Sequence, residues 1–245
     1  MPRFFVDNSA VSDGNITITG DDASHITRSL RMKIGEPLLV CDERQIVYTC
    51  TIAAMDKHSV SLAITGQEQG RVPPYKARLF VALAKGERMD IIMQKATEFG
   101  VSEIVPVLTM RSISRPEPGK IQGKLVRWQR IAREAAGQCG RCDVPIVGEV
   151  LSFDEALVQM QKSDIAFLCY EEEHSLHLRD FLPQQHGSIA FFTGPEGGFA
   201  PEEVMKATET GIGSVGLGER ILRCESAPIY VLSALDIMYG THKNG

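Results

Sequence analysis

Two glycine-rich stretches in the C-terminal part of the chain carry the residues best suited to chemistry. They are Gly194-Pro-Glu-Gly-Gly-Phe199 and Leu217-Gly-Glu-Arg-Ile-Leu-Arg-Cys-Glu-Ser-Ala227. Glycine tolerates positive φ and lets backbone N–H and C=O groups come directly up to a ligand, which suits recognition of an adenine edge. A carboxylate such as Glu196 is a potential acceptor for ribose hydroxyls. Neither stretch contains Gly-Lys-Ser/Thr, and the first lacks G-x-G-x-x-G spacing, so the cradles that wrap a triphosphate or a pyrophosphate are absent. The ligand expected is not one gripped through nucleotide phosphates.

The elements that must position these loops can be read around them. Ser188 to Thr193 is an apolar run rich in aromatic and β-branched residues, read as a buried strand that stops at Gly194. Pro201-Glu202-Glu203 suits a helix N-terminus and Gly211 its far end. A second strand is expected over Ser214 to Leu217. After the second loop, Ser226 is read as the cap of a last helix, with Pro228 in its first turn and Ile229, Leu232, Leu235 and Met238 as its apolar stripe. Loops at strand ends of open α/β sheets are where ligands bind.

Upstream, strands are expected over Ala77 to Ala84, Ile104 to Leu108 and Ile165 to Tyr170. Helices alternate with them: one carrying Met89, Ile92, Met93, Ala96 and Phe99 and ending at Gly100, a long one through Gly140, and one over Phe153 to Met160. That alternation implies a mostly parallel α/β sheet. The N-terminal third reads instead as short strands, Arg3 to Val6, Asn15 to Thr19, Leu38 to Cys41, Ile46 to Ala53 and Val60 to Ile64, suggesting a small barrel or sandwich. One helix, Asp22 to Met32, interrupts them with Ile26 and Leu30 on its apolar face, and His25 is equally placed to be a partner of the core. Gly70-Arg-Val-Pro-Pro74 is an extended breaker, which divides the chain into residues 1–72 and 73–245.

Composition excludes several classes. The 245 residues are 43% apolar and 23% charged, and no run approaches the roughly 20 apolar residues that span a bilayer. Met1-Pro-Arg-Phe-Phe lacks the apolar core of a secretion leader, so a cytoplasmic protein without membrane partners is expected. A formal charge of −5 argues against a uniformly basic nucleic-acid coat and confines RNA contacts to local patches. Two patches qualify: Arg3, Arg28, Arg31 and Lys33 near the N-terminus, and Arg111 and Arg115 leading into a stripe of Lys120, Lys124, Arg127, Arg130 and Arg133 on the long helix. Each is equally readable as a solvated face, and Trp128 as a packing residue or a stacking platform. Six scattered cysteines read as reduced thiols. Cys139-Gly-Arg-Cys142 has no second pair, and His174-Ser-Leu-His177 has too few ligands, so no metal is expected.

The paired loop signatures, with Lys85-Gly-Glu-Arg-Met-Asp90, Lys95-Ala-Thr-Glu-Phe-Gly-Val101 and Arg127-Trp-Gln-Arg-Ile-Ala-Arg-Glu-Ala-Ala-Gly-Gln138, resemble the RsmE family. Its members are the 16S ribosomal RNA (uracil-N3)-methyltransferases of the SPOUT class. The resemblance covers nearly the whole chain, with Cys224 and Ser226 standing where threonines are expected. It implies an α/β C-terminal domain with a SPOUT-type knotted parallel sheet, a trefoil made by the segment from Ser188 to the last helix. It also implies a smaller N-terminal PUA-like β-barrel that binds RNA, a homodimer, and 16S rRNA or the small ribosomal subunit as partner. The cofactor implied is S-adenosylmethionine, with Thr193, Gly194, Glu196, Gly198, Leu217, Gly218, Ile221, Leu222 and Arg223 as its binding residues.

Methylation of uracil N3 requires in-line alignment of donor and nitrogen, loss of the N3 proton, and stabilisation of charge on the flanking oxygens. Arg223 is the candidate for stabilising charge, with Glu225 or Glu98 as proton acceptor or orienting carboxylate. Rival readings are a SPOUT enzyme acting on another base or on a ribose 2′-hydroxyl, a nicotinamide oxidoreductase, and a noncatalytic RNA-binding protein. The second lacks its glycine fingerprint and the third leaves the glycine loops unexplained.

Overall fold

The computed structural model describes residues 1–115, 117–182 and 187–240. Pro116, in the loop before the long helix, lies outside them. The chain divides into two compact units, Met1–Val72 with Ala136–Asp143, and Pro73–Ala135 with Val144–Gly245.

The first unit is a six-stranded sheet of β1 (Arg3–Phe5), β2 (Val11–Ser12), β3 (Asn15–Thr19), β4 (Pro37–Cys41), β5 (Ile46–Met55) and β6 (Ser59–Gln69), in the order β1-β4-β5-β6-β3-β2. Only the β1–β4 pair is parallel. The alternation of β3 puts Ile16 and Ile18 inside with Leu38, Val40, Ile52 and Leu62, and its threonines outside. Gly137 matters here because a Cβ would lie 2.9 Å from the Arg3 carbonyl. The helix expected over residues 22–32 is shorter and broken: α1 (Gly20–Ser24) passes into one π-helical turn over His25–Ser29. Ile26 is buried, but Leu30 is 42% exposed: the π turn, closed by Leu30 N–H donating to the His25 carbonyl, rotates Leu30 off the face that buries Ile26, and the chain then turns left-handed at Arg31, φ +52°. His25 is exposed, its ring 6.1 Å from that of Phe4.

The second unit is a wholly parallel sheet. Its strands and helices, in chain order, are β7 (Lys76–Ala82), α2 (Arg88–Glu98), β8 (Glu103–Leu108), α3 (Pro118–Cys139), β9 (Ile146–Val147), β10 (Leu151–Ser152), α4 (Phe153–Met160), β11 (Ile165–Cys169), α5 (Leu178–Phe181), β12 (Ser188–Thr193), α6 (Pro201–Glu209), β13 (Gly213–Val215) and α7 (Ser226–Tyr239). The spatial order is β10-β8-β7-β12-β11-β13, with β9 also on β8. Helices cover both faces, which explains why the strands are apolar without alternation. On β12, Ile189 and Phe191 pack into the cluster containing α2 and α7, whereas Ala190 and Phe192 pack into the one containing α4 and α6. The architecture is the expected α/β parallel sheet with a smaller β unit before it.

Three local expectations are corrected. Ser226 is the first residue of α7 rather than its cap; Glu225 holds the cap position and the turn is closed by Ser226 N–H donating to the Arg223 carbonyl at 2.8 Å. Met238 is 43% exposed, and Val231 and Tyr239 take its place in the buried stripe. The second loop's strand is Gly213–Val215, so Leu217 belongs to the loop.

Candidate active site

Because the sheet is parallel, the loops that follow β7, β8, β11, β12 and β13 all emerge at one end. Three of them enclose a cleft of about 300 Å³ lined by Cys169 to Glu171 after β11, Gly194 to Gly198 after β12, and Leu217 to Leu222 with Cys224 and Ala227 after β13. Of the nine expected cofactor residues, Gly194, Glu196, Gly198, Leu217, Gly218, Ile221 and Leu222 line it. Thr193 and Arg223 do not. Thr193 is fully buried at the end of β12, and its hydroxyl has no hydrogen-bond partner among the described residues, a polar atom left over at the edge of the loop.

The first loop is held from several sides. Phe199 is buried edge-on against Phe192, 4.9 Å between ring centroids, and a Cβ on Gly194 would lie 3.3 Å from the Phe199 ring. Gly198 has φ +67°, and a Cβ there would meet the Glu171 carboxylate at 1.8 Å. Arg111 Nη1 donates to the carbonyls of Gly197 (3.0 Å) and Phe199 (3.1 Å). Glu203, buried on the first turn of α6, accepts from Ala200 N–H at 3.0 Å and Met110 N–H at 2.8 Å. Glu196 Oε1 accepts from Lys85 N–H at 3.0 Å and Arg88 Nη1 at 2.6 Å. Burial opposes ionisation of Glu196, but those donors and its own N–H outweigh it and hold the carboxyl below its ordinary value.

The second loop is more open. Gly218 has φ +105° and a Cβ there would meet nothing within 4 Å, while Ile221 is 84% exposed. Arg223 is exposed and its guanidinium has no partner among the described residues; the pairings with Glu196, Glu219 or Glu225 open to it are not made. Glu225 Oε2 accepts from Cys224 Sγ at 3.2 Å and faces Arg88 Nε at 3.8 Å. Burial, followed by Glu225, pushes the Cys224 thiol up to about 12, so at neutral pH it is a protonated lining group. Burial also raises the Cys169 thiol.

Glu98 is not brought to the cleft. It ends α2, ten residues and about 15 Å along the helix from Arg88, and pairs with Lys95 at 2.7 Å. The basic residues disperse as well. Arg127 pairs with Asp90, Arg115 donates to the Met110 carbonyl at 3.2 Å, and Trp128 is buried, with Lys124 5.8 Å above its ring. In the first unit Arg28, Arg31 and Lys33 are exposed, while Arg3 donates to the Gly140 carbonyl. Cys142 Sγ donates to the Arg71 carbonyl at 3.2 Å. Arg88, Arg111 and Glu171 were not assigned to this site from sequence. Lys85-Gly-Glu-Arg88 follows a strand, which was the available signal, but a motif does not say which loop it meets.

The lining joins apolar groups, Leu217, Ile221, Leu222, Ala227 and two thiols, to glycine backbone, the carboxylates of Glu171, Glu196 and Glu219, and the guanidinium of Arg220. Those polar groups fit a ligand that carries hydroxyl groups and charges of both signs. Comparisons with known proteins agree. A family model for an RNA methyltransferase domain matches residues 71–236, and one for an RNA methyltransferase PUA domain matches residues 18–65. The chain belongs to the RsmE family. It is 34% identical to ribosomal RNA small subunit methyltransferase E of Bacillus subtilis, with 96% of each chain covered. It resembles the RsmE of Neisseria gonorrhoeae solved bound to S-adenosyl methionine, with a TM-score of 0.89, 29% identity and 98% of each chain covered. A methyltransferase of Legionella pneumophila in complex with the same cofactor has a TM-score of 0.89 at 30% identity, with 96% of each chain covered. As in those RsmE-type structures, the cofactor of this chain is S-adenosylmethionine.

Proposed function

We propose that this RsmE protein methylates N3 of a uridine in the 16S RNA of the small ribosomal subunit. The observation carrying the reading is the cleft itself, built from glycine backbone, apolar side chains, carboxylates and one arginine, Arg220, at the carboxyl end of β11, β12 and β13. S-adenosylmethionine, when bound, supplies the methyl group as an electrophile.

The chain's own residues do the rest. The glycine backbone of residues 194–198 and 217–218 borders the ligand, with Glu171, Glu196 and Glu219 as lining carboxylates, Arg220 as the lining cation and Leu217, Ile221 and Leu222 as apolar contacts. Arg223, beside the cleft and without a partner among the described residues, donates to the uracil oxygens that gain charge as the N3 proton leaves. Glu225, already oriented by Cys224, is the nearer of the two expected carboxylates and accepts the N3 proton, ahead of Glu98. Arg28, Arg31 and Lys33 in the first unit supply phosphate contacts beside the exposed Leu30 and Ile34.

The protein acts as a homodimer in the cytoplasm, where ribosomal subunits are assembled. Tyr230 and Ile237 on α7 are 44% and 74% exposed, apolar surface that a partner copy would cover. No helix among the described residues is long and apolar enough to cross a membrane. The test is to map modified nucleosides in ribosomal RNA from cells with and without the protein. Loss of a single N3-methyluridine in 16S RNA, restored by the purified protein with S-adenosylmethionine, is the expected result. Loss of a ribose methyl or of another base modification would overturn it.

A further inference from the structure

The two glycine loops follow β12 and β13, which are not neighbours: β11 lies between them. Two strand spacings, about 9 to 10 Å, separate their ends, and no backbone ladder joins one loop to the other. Something else must fix their separation if the cleft is to have one width.

Arg88 occupies that position. It is the first residue of α2, on the loop after β7, and it is absent from the cleft lining. One edge of its guanidinium meets the first loop, Nη1 to Glu196 Oε1 at 2.6 Å, and Nε faces the second, 3.8 Å from Glu225 Oε2. Both carboxylates are pre-aimed. Lys85 N–H holds the same oxygen of Glu196 at 3.0 Å, and Cys224 Sγ holds the same oxygen of Glu225 at 3.2 Å. Glu196 and Glu225 are each only 19% exposed, while Arg88 is 41% exposed, so the carboxylates are partly shielded and solvent reaches the pairing from the arginine side. Among the described residues, no other ion pair joins residues 217–225 to the rest of the protein. A planar fork serves two acceptors at once; an ammonium on a flexible stem does not hold them at a fixed angle.

We infer that Arg88 is a positioning residue for methyl transfer, setting the width of the cofactor cleft by tying Glu196 of one glycine loop to Glu225 of the other. The inference rests on the methyltransferase reading. Its test is a double-mutant cycle in the full-length protein with S-adenosylmethionine as the probe, measuring cofactor affinity by calorimetry and melting temperature in parallel.

Arg88→Ala is expected to weaken cofactor binding by about tenfold to a hundredfold, the scale of a lost charge-assisted hydrogen bond. Its melting temperature should fall no further than in Lys206→Ala, which breaks an exposed ion pair with Asp154. Glu225→Gln should cost affinity in the wild type and almost nothing more in the Arg88→Ala background, and Arg88→Lys should fall between wild type and alanine. Additive effects of Arg88→Ala and Glu225→Gln would overturn the bridge, as would a twofold or smaller change in Arg88→Ala. If Arg88→Ala does not fold, the cycle is run on Arg88→Lys, with the same criterion of non-additivity. A wild-type protein that binds no S-adenosylmethionine would overturn the methyltransferase reading itself; wild-type binding with an unaffected Arg88→Ala overturns only the role of Arg88.

Discussion

The two loops that face each other across the cleft are built on opposite principles. Residues 194–200 are fixed from beneath by Phe199 in the aromatic core, from one side by Arg111, and from the other by Lys85 and Arg88. Residues 217–223 make no comparable contacts; Glu219 to Ile221 and Arg223 are exposed, and the turn depends on Gly218 at φ +105°. One wall is therefore preorganised and the other takes its shape from a single arginine and from what it binds. Preorganisation lowers the cost of binding, so changes in the first loop should register in stability, and changes in the second, which is ordered by what it binds, in cofactor affinity and rate.

The largest effect should come from removing what anchors the first loop. Glu203→Ala leaves the Ala200 and Met110 N–H groups without their carboxylate, two charge-assisted hydrogen bonds near a buried helix start. A stability loss of about 3–5 kcal/mol is expected, read by urea denaturation. A loss below about 1 kcal/mol would show that the first loop is no better fixed than the second.

The next effect belongs to the second loop. Arg223→Ala should lower kcat by about a hundredfold with cofactor affinity nearly unchanged, and lysine should recover part of it. If cofactor affinity and melting temperature fall together while single-turnover methylation at saturating cofactor stays near wild type, Arg223 is a clamp and the division between the loops fails.

Matched glycine changes sharpen the contrast at about 1–2 kcal/mol each. In Gly194→Ala the new methyl presses on the Phe199 ring, so the loss should appear in unfolding free energy. Gly218→Ala meets open space but forces an L-residue to φ +105°, so the exposed loop should relax elsewhere and the loss should appear in cofactor affinity. Equal melting temperatures for the two variants would contradict this.

The smallest effect is on pH. The Glu196 carboxyl is held below its ordinary 4.5, so its ionised form is favoured in the folded protein. That contribution is complete above about pH 4.5 and is lost as pH falls through the lowered value. Protection of the amides in residues 194–200, taken relative to their intrinsic exchange rates at each pH, should fall on that acid side in the wild type, and Glu196→Gln should flatten the dependence. An identical acid response in both proteins would locate the titration elsewhere.

The sequence determined the elements around the site because each is written locally. Ser188 to Thr193 is a strand over the residues expected, since only a strand buried on both faces tolerates six such residues between breakers. Phe153 to Met160 is likewise the helix expected, opened by Ser152 and Glu155 as a capping box. The glycine loops, the absence of a phosphate cradle in them and the family signatures were equally legible, because motif spacing is a property of the chain.

Tertiary structure decided which charged groups meet. Glu98 and Arg88 lie on one helix and were equally available to pattern reading, yet only the end of α2 that follows β7 reaches the glycine loops. Arg111 read as part of a basic RNA stripe, and the fold turns its Nη1 to two loop carbonyls of the cofactor cleft. Pairings across 86 and 108 residues of sequence are set by strand order, and strand order is fixed by how two apolar faces of one sheet are covered. That is a property of the assembled core, which no local spacing encodes.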